Sequence, residues 1–187
     1  MTVLGPEKDG AIRSLSQEMS YSDYLSLDLI LGAQKLQSTA HDEMLFIIQH
    51  QTSELWMRLC LHELSTARTH LIKQEIEPAM KMLARVAQIF EQLNNAWDVL
   101  RTMTPSEYTQ FRDDLGTSSG FQSHQYRLIE FMLGNRNVNM LKIHEHRPEL
   151  YRMLDQELHT KSLYHAVLDL LSNATDTIFS SVVYTSN

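Results

Sequence analysis

A chain of 187 residues with 43% hydrophobic and 21% charged residues reads as one globular domain, long enough to bury a real core. Its net charge of −7 excludes the basic footprint of a nucleic-acid binder, and no apolar run approaches the roughly 20 residues that span a bilayer. The single cysteine, Cys60, excludes an intrachain disulfide and fits a reducing compartment. With Glu7, Lys8, Asp9, Arg13 and Glu18 in a start that lacks a signal-peptide pattern, the expected setting is the cytoplasm.

Residues 1–19 read as a polar, mobile start. From Tyr21 to Leu36 the residues Tyr24, Leu27 and Leu31 recur at helical spacing. Ser38 and Thr39 offer caps for a long helix from about Ala40 to about Glu75, whose apolar stripe runs Leu45, Ile48, Leu55 and Leu59, continued by His62. Pro78 suits the first turn of a third helix with Leu83, Val86, Phe90, Leu93, Trp97 and Leu100 on one side. Thr104-Pro105-Ser106-Glu107 is the clearest start signal: a threonine cap, proline at the first helical position, and a glutamate placed to reach back. Gly116 suits a left-handed helix end. Thr117 to Gly120 makes a hydroxyl-rich turn into a helix from Phe121 to Leu133, stopped by Gly134, and further helices are expected near Pro148–Leu158 and Ser162–Leu171. The tail 172–187 is hydroxyl-rich and β-branched and lacks that periodicity. No strand pattern stands out before residue 176, so the expected fold is an all-α helical domain over 20–171.

Two pairs carry the chemistry. Phe46 and His50 are four apart, as are Tyr108 and Arg112, and such residues share a helix face. A ring to stack on, an imidazole, a phenol and a guanidinium suit a small planar ligand that bears a carboxylate, since guanidinium grips carboxylate through two parallel bonds. Each residue also has a plainer reading. His50 follows the apolar run Met44 to Ile48 and suits a core histidine; Phe46 suits the core; Arg112 suits a surface ion pair with Asp113 or Asp114; Tyr108 suits a half-buried ring. What favours a ligand site is the density of hydroxyls, amides and planar donors from Arg112 through Ser118, Ser119, Gln122, Ser123, His124 and Arg127 around a glycine turn. A metal ion held by side chains alone is disfavoured: His144-x-His146 puts its rings on different helix faces, and His62-Glu63 lacks the second histidine of a zincin site.

The same residues carry a resemblance. Tyr21-Ser22-Asp23-Tyr24-Leu25, the run from His41 to Trp56, Thr104-Pro105-x-x-Tyr108-x-x-Phe111-Arg112, Ser118 to Ser123, Gln125-Tyr126-Arg127 and Gly134-Asn135 closely resemble tryptophan 2,3-dioxygenases over about residues 20–171. The resemblance implies the helical bundle of the tryptophan/indoleamine dioxygenase type, haem b as cofactor, and L-tryptophan and O₂ as substrates, with the indole opened to N-formyl-L-kynurenine. It implies that Phe46 packs on the indole, that His50 bonds the indole N–H, and that Tyr108 and Arg112 hold the substrate carboxylate. Trp97, Leu115 and Ser119 match positions close to the haem. Tyr21, Tyr24 and Leu25 match a segment that enters a neighbouring subunit's site in a homotetramer.

The family's proximal haem histidine, and a Gly- and Ser-rich loop that contacts the substrate, belong to a further C-terminal third outside these 187 residues. None of His144, His146, His159 or His165 is assigned to the iron. The chain is expected to be a fragment of a longer product or a shortened, inactive descendant. A haem oxygenase or hydroxylase of another aromatic amino acid, and a haem-free helical scaffold, stay open beside the dioxygenase reading.

Overall fold

The computed structural model describes the backbone of residues 19–184, with side chains in the last helix up to Asn173 and at Thr175. The mobile start expected for residues 1–19 falls almost wholly outside the described residues. Helices and turns form two compact units, one ending at Leu36 and one starting at Gln37. Among the described residues there is no strand, as expected of an all-α chain, and no helix is long and apolar enough to cross a membrane.

In the first unit the single helix expected over Tyr21–Leu36 is instead two short ones, α1 (Tyr21–Leu25) and α2 (Leu27–Leu31). Ser20 and Asp23 cap α1 reciprocally, and Ser26 breaks the run in a left-handed conformation at φ 52°. Neither helix buries a residue, so no packed face offsets the cost of a longer helix, and serine favours the cap over the interior.

The second unit opens on α3 (Glu43–Ile72), which starts later than Ser38 or Thr39 would place it. Ser38 does not cap α3. Instead the fully buried Glu43 turns back, and its carboxylate accepts from Gln37 N (2.7 Å), Ser38 N (2.8 Å) and Ser38 Oγ (2.6 Å). Those bonds, led by the Ser38 hydroxyl, hold the Glu43 carboxyl below its usual range. Gln74, left-handed at φ 62°, turns the chain into α4 (Ile76–Leu100) with Pro78 in its first turn. Then come α5 (Pro105–Thr109), α6 (His124–Leu133), α7 (Pro148–His159) and α8 (Leu163–Tyr184).

The core differs from the stripe expected on α3. Met57, Cys60, Leu64, Ala67 and Leu71, spaced three and four apart, pack against Ala79, Val86 and Ile89 of α4, Ile129 and Met132 of α6, and Leu163 and Ala166 of α8. Ile48, Leu55 and Leu59 lie on the other side and are exposed. α3 is apolar on two faces, and the one with the small residues Cys60 and Ala67 admits close helix packing. A second cluster joins Phe131 of α6 to Leu141 and to Leu154 and Leu158 of α7. Arg68 ties α3 to α7 through a two-bond pair with the Glu157 carboxylate. Gly134 sits at φ 118°, a backbone conformation that strains any side chain, and a Cβ there would lie 3.1 Å from the Tyr164 Cβ, a tight approach that α8 would have to relieve.

Two further expectations change. The helix expected from Phe121 splits into a 3₁₀ turn (Gly120–Gln122) and α6, because Ser119 and Ser123 each capture an amide and create separate starts. The tail joins α8 as far as Tyr184. Thr175 donates its hydroxyl to the Leu171 carbonyl (2.8 Å), the internal bond by which a helix accommodates the hydroxyl residues that suggested otherwise. A second 3₁₀ turn, Val138–His144, had no clear periodic signal.

Candidate functional site

The first half of α3 and the segment from Thr104 to Ser123 build the site. The Thr104 box forms as its sequence requires: Thr104 Oγ1 accepts from Glu107 N (3.3 Å), and the Glu107 carboxylate accepts from Thr104 N (2.7 Å). α5 then lasts only five residues. Tyr108 lies within it, and Arg112 lies beyond its end, although the Arg112 N to Tyr108 O bond (3.1 Å) keeps the helical pitch between them. Phe111 stays fully buried as the plug of this turn. It meets Phe46 edge-on (centroids 5.6 Å apart, planes at 63°) and Tyr108 nearly perpendicular (5.4 Å, 88°), so it brings the Tyr108 ring to 5.8 Å from Phe46. Phe111 stood in the sequence motif without a role. Its spacing of three from Tyr108 is the signal that it shares a side of the turn.

His50 packs 4.1 Å from the Phe46 ring centroid, the planes tilted by 39°. Its Nδ1 lies 2.7 Å from the Phe46 carbonyl oxygen. A carbonyl only accepts, so Nδ1 carries the proton, and Nε2 of the neutral ring is left with a lone pair.

Two cavities share a wall made of His50, Glu54, Ser119, Gly120 and Ser123. The first, about 380 Å³, adds Met57, Trp97, Leu100, Phe121 and Arg127. Trp97 is 55% and Phe121 72% exposed. These flat rings around an open apolar slot suit one face of a planar macrocycle such as haem, held from one side. Among the described residues, none of His144, His146, His159 or His165 lines either cavity. The second cavity, about 490 Å³, is lined by Phe46, Leu115, Ser118, Gln122 and His124 besides the shared wall.

Thus Phe46, His50, Leu115 and Ser119 meet at one cavity and Trp97, His50 and Ser119 at the other, with Tyr108 against the Phe46 ring. Arg112, half-buried, does not line either cavity. Its Nη1 donates to the Gly116 carbonyl (2.9 Å), and among the described residues it makes no ion pair with Asp113 or Asp114. Tyr21, Tyr24 and Leu25 belong to α1 of the other unit, where both tyrosines are exposed. Glu54 went unremarked in the sequence, although it stands one turn after His50 on the same face. One amide nitrogen, Gln125 Nε2, donates to both its carbonyl and its Oε2 (2.8 Å each).

His144 is almost fully buried, and its Nε2 has no hydrogen-bond partner among the described residues. Burial first, then His124, His146, Arg127 and Arg147, push its pKa below the usual histidine value. Arg127 is paired with Glu130 at 2.5 Å. Burial raises the Cys60 thiol to about 11, which makes it inert packing.

Comparison with known proteins agrees on one family. The family model for tryptophan 2,3-dioxygenase matches residues 6–176. The chain is 63% identical over 180 residues to the tryptophan 2,3-dioxygenase of Ruegeria pomeroyi, covering 96% of this chain and 65% of that protein. It is 67% identical to that of Bradyrhizobium diazoefficiens (88% and 59%) and 57% identical to that of Pseudomonas aeruginosa (89% and 58%). The chain therefore spans less than two thirds of the length of these relatives.

Proposed function

The chain belongs to the tryptophan 2,3-dioxygenase family, and we propose that it forms the substrate-holding wall of a haem-dependent site that opens the indole ring of L-tryptophan with O₂, giving N-formyl-L-kynurenine at the start of the kynurenine route. The observation that carries this reading is the 2.7 Å approach of His50 Nδ1 to the Phe46 carbonyl oxygen. With Nδ1 donating to the Phe46 carbonyl, Nε2 is an acceptor beside a stacking ring, the complement of an indole N–H. A partner that lacks that donor leaves the acceptor unpaired, which is how such a site selects indole.

Haem b, when bound, supplies the activation of O₂ at its iron. Trp97 and Ser119, which line the first cavity, would hold its near face, and Leu115 of the second cavity matches a position close to it by family resemblance. Phe46 stacks on the indole, His50 fixes its direction, and Arg112, exchanging the Gly116 carbonyl for the substrate carboxylate, anchors the other end with Tyr108. Orientation of this kind removes rotational freedom before the chemistry begins. Tyr21, Tyr24 and Leu25 close a neighbouring subunit's site in a homotetramer, and the exposed apolar residues Ile48, Leu55 and Leu59 suit burial against further protein. The assembly works in the cytoplasm, which suits the unpaired Cys60.

The test is turnover in a haem-loaded protein of the family's full length that carries these residues. N-formylkynurenine should form from tryptophan, and 1-methyltryptophan, which has no indole N–H, should show a KM raised about tenfold or more. Equal KM values for the two substrates would remove His50 as the acceptor, and absence of product from tryptophan would remove the activity.

A further inference from the structure

We propose that Gln125 is a positioning residue: by clamping Glu54 it sets the gap between α3 and the hydroxyl turn, and so the width of the cavity that receives the substrate. This deepens the dioxygenase reading and rests on it for the identity of the substrate. The geometry is specific. One amide nitrogen stands within hydrogen-bond distance of two acceptors on one residue, the Glu54 carbonyl and its carboxylate, each at 2.8 Å. Glu54 lies one turn after His50 and lines both cavities. Gln125 lies two residues after Ser123, the cap of α6, whose Oγ accepts from Tyr126 N (3.2 Å).

The turn from Thr117 to His124 is tied chiefly to itself, with Ser119 N donating to Gln122 Oε1 and Gln122 Nε2 to the Thr117 carbonyl (3.3 Å each). Its amide bonds are local: Gln122 N to Ser119 O (2.9 Å), Ser123 N to Gly120 O (3.1 Å) and Phe121 N to Ser119 Oγ (3.3 Å). Phe121 is largely exposed, and none of Thr117, Ser118, Ser119 or Gly120 is buried. Apolar packing therefore does not fix where the turn stands relative to His50. On the Arg112 side it is held through the Gly116 carbonyl, and on the α6 side through the Gln125 clamp. A bond to a charged acceptor is among the stronger hydrogen bonds, which suits a device that must hold an otherwise loosely packed wall.

A carboxylate in place of the amide gives the test. In Gln125→Glu two carboxylates face each other, repel when both are ionised, and share a proton on acidification. The other titratable groups on these cavities are His50 of α3 and His124, Tyr126 and Arg127 of α6, and they are the same in every variant compared. Hydrogen exchange of the 187-residue chain, expressed as protection factors so that intrinsic pH dependence divides out, should show residues 117–124 about tenfold less protected in Gln125→Glu at pH 7. Protection should return near pH 4.5, while the core amides around Leu64 stay as in the parent. The exchange of roles in Glu54→Gln/Gln125→Glu remakes the side-chain pair but not the bond to the residue-54 carbonyl, to which a carboxylate cannot donate, and should recover part of the protection at pH 7. Protection of 117–124 in Gln125→Glu equal to the parent at pH 7 overturns the clamp and leaves the dioxygenase reading untouched. A second arm measures L-tryptophan affinity of the same variants in the haem-loaded, full-length protein, where Gln125→Glu should bind about tenfold more weakly at pH 7 and the double variant should recover in part. Lost protection with unchanged tryptophan affinity overturns the proposal from the other side, because the turn would then lie outside the substrate site.

Discussion

Along α3, the half that begins at Met57 buries Met57, Cys60, Glu63, Leu64, Ala67 and Leu71, whereas the half before it buries only Glu43. The same helix is a structural strut at one end and a wall of the site at the other. The difference lies in what each end meets. The later half has α4, α6 and α8 around it, all joined in one apolar cluster. The earlier half meets short, hydroxyl-rich turns held by the Arg112 bond to the Gly116 carbonyl, by the two bonds of Gln125 to Glu54 and by the Phe111 plug. Buried apolar packing is concentrated in one end, and the candidate site lies where little packing holds it. This is the usual partition, because a ligand must be able to displace whatever occupies its site.

The largest test of the partition compares two leucines of α3. Leu64 is fully buried and Leu55 is 54% exposed. Leu64→Ala should cost about 2–5 kcal/mol of unfolding free energy, read from urea denaturation of the 187-residue chain, through the cavity it leaves. Leu55→Ala should stay within about 0.5 kcal/mol. Equal losses at the two positions would dissolve the distinction between strut and wall.

The opposite asymmetry is expected at Arg112. Its guanidinium holds only its own turn, through the Gly116 carbonyl. Arg112→Ala should leave the unfolding midpoint of the chain within about a degree or two, yet raise the tryptophan KM of the haem-loaded, full-length protein more than tenfold. Losing a charge-assisted grip costs about 1.5–3 kcal/mol, and each 1.4 kcal/mol is a factor of ten. An unchanged KM would return Arg112 to a purely local role. A large fall in the midpoint would show that the turn itself carries part of the fold.

What the sequence could express divides along the same line. Local chemistry was legible: the Thr104 box, the αL glycines Gly116 and Gly134, and the one-turn spacing of Phe46 and His50 all have counterparts in the structure. Each depends on residues within four positions of one another. The core face of α3 was read wrongly because Leu45, Ile48, Leu55 and Leu59 are bulkier than Cys60 and Ala67, while burial follows close approach as well as bulk. The split at Ser26 and the extension of α8 were missed for a related reason. Propensity weighs a serine or threonine alone, and packing or an internal hydroxyl bond decides the outcome. The Gln125–Glu54 clamp was illegible, since it joins residues 71 apart in the chain and no periodicity links them.

The smallest expected effect concerns His144, which sits in the second apolar cluster's neighbourhood and not on α3 at all. The residue is nearly fully buried, and burial together with His124, His146, Arg127 and Arg147 lowers its pKa. The folded protein therefore holds it neutral where the unfolded chain, with an ordinary value near about 6.5, would bind a proton. Its contribution to stability is complete above that value and is lost as the pH falls through and below it. The parent chain should lose thermal stability between pH 7.5 and 5.5, and His144→Gln, which removes the titrating ring and keeps a neutral polar side chain, should lose less over the same interval. The remaining histidines are common to both proteins, so the difference between the two pH profiles reports on His144 together with its coupling to His124 and His146. If the profiles superimpose, His144 is not held neutral by its surroundings, and the turn Val138–His144 opens to water more readily than its burial indicates.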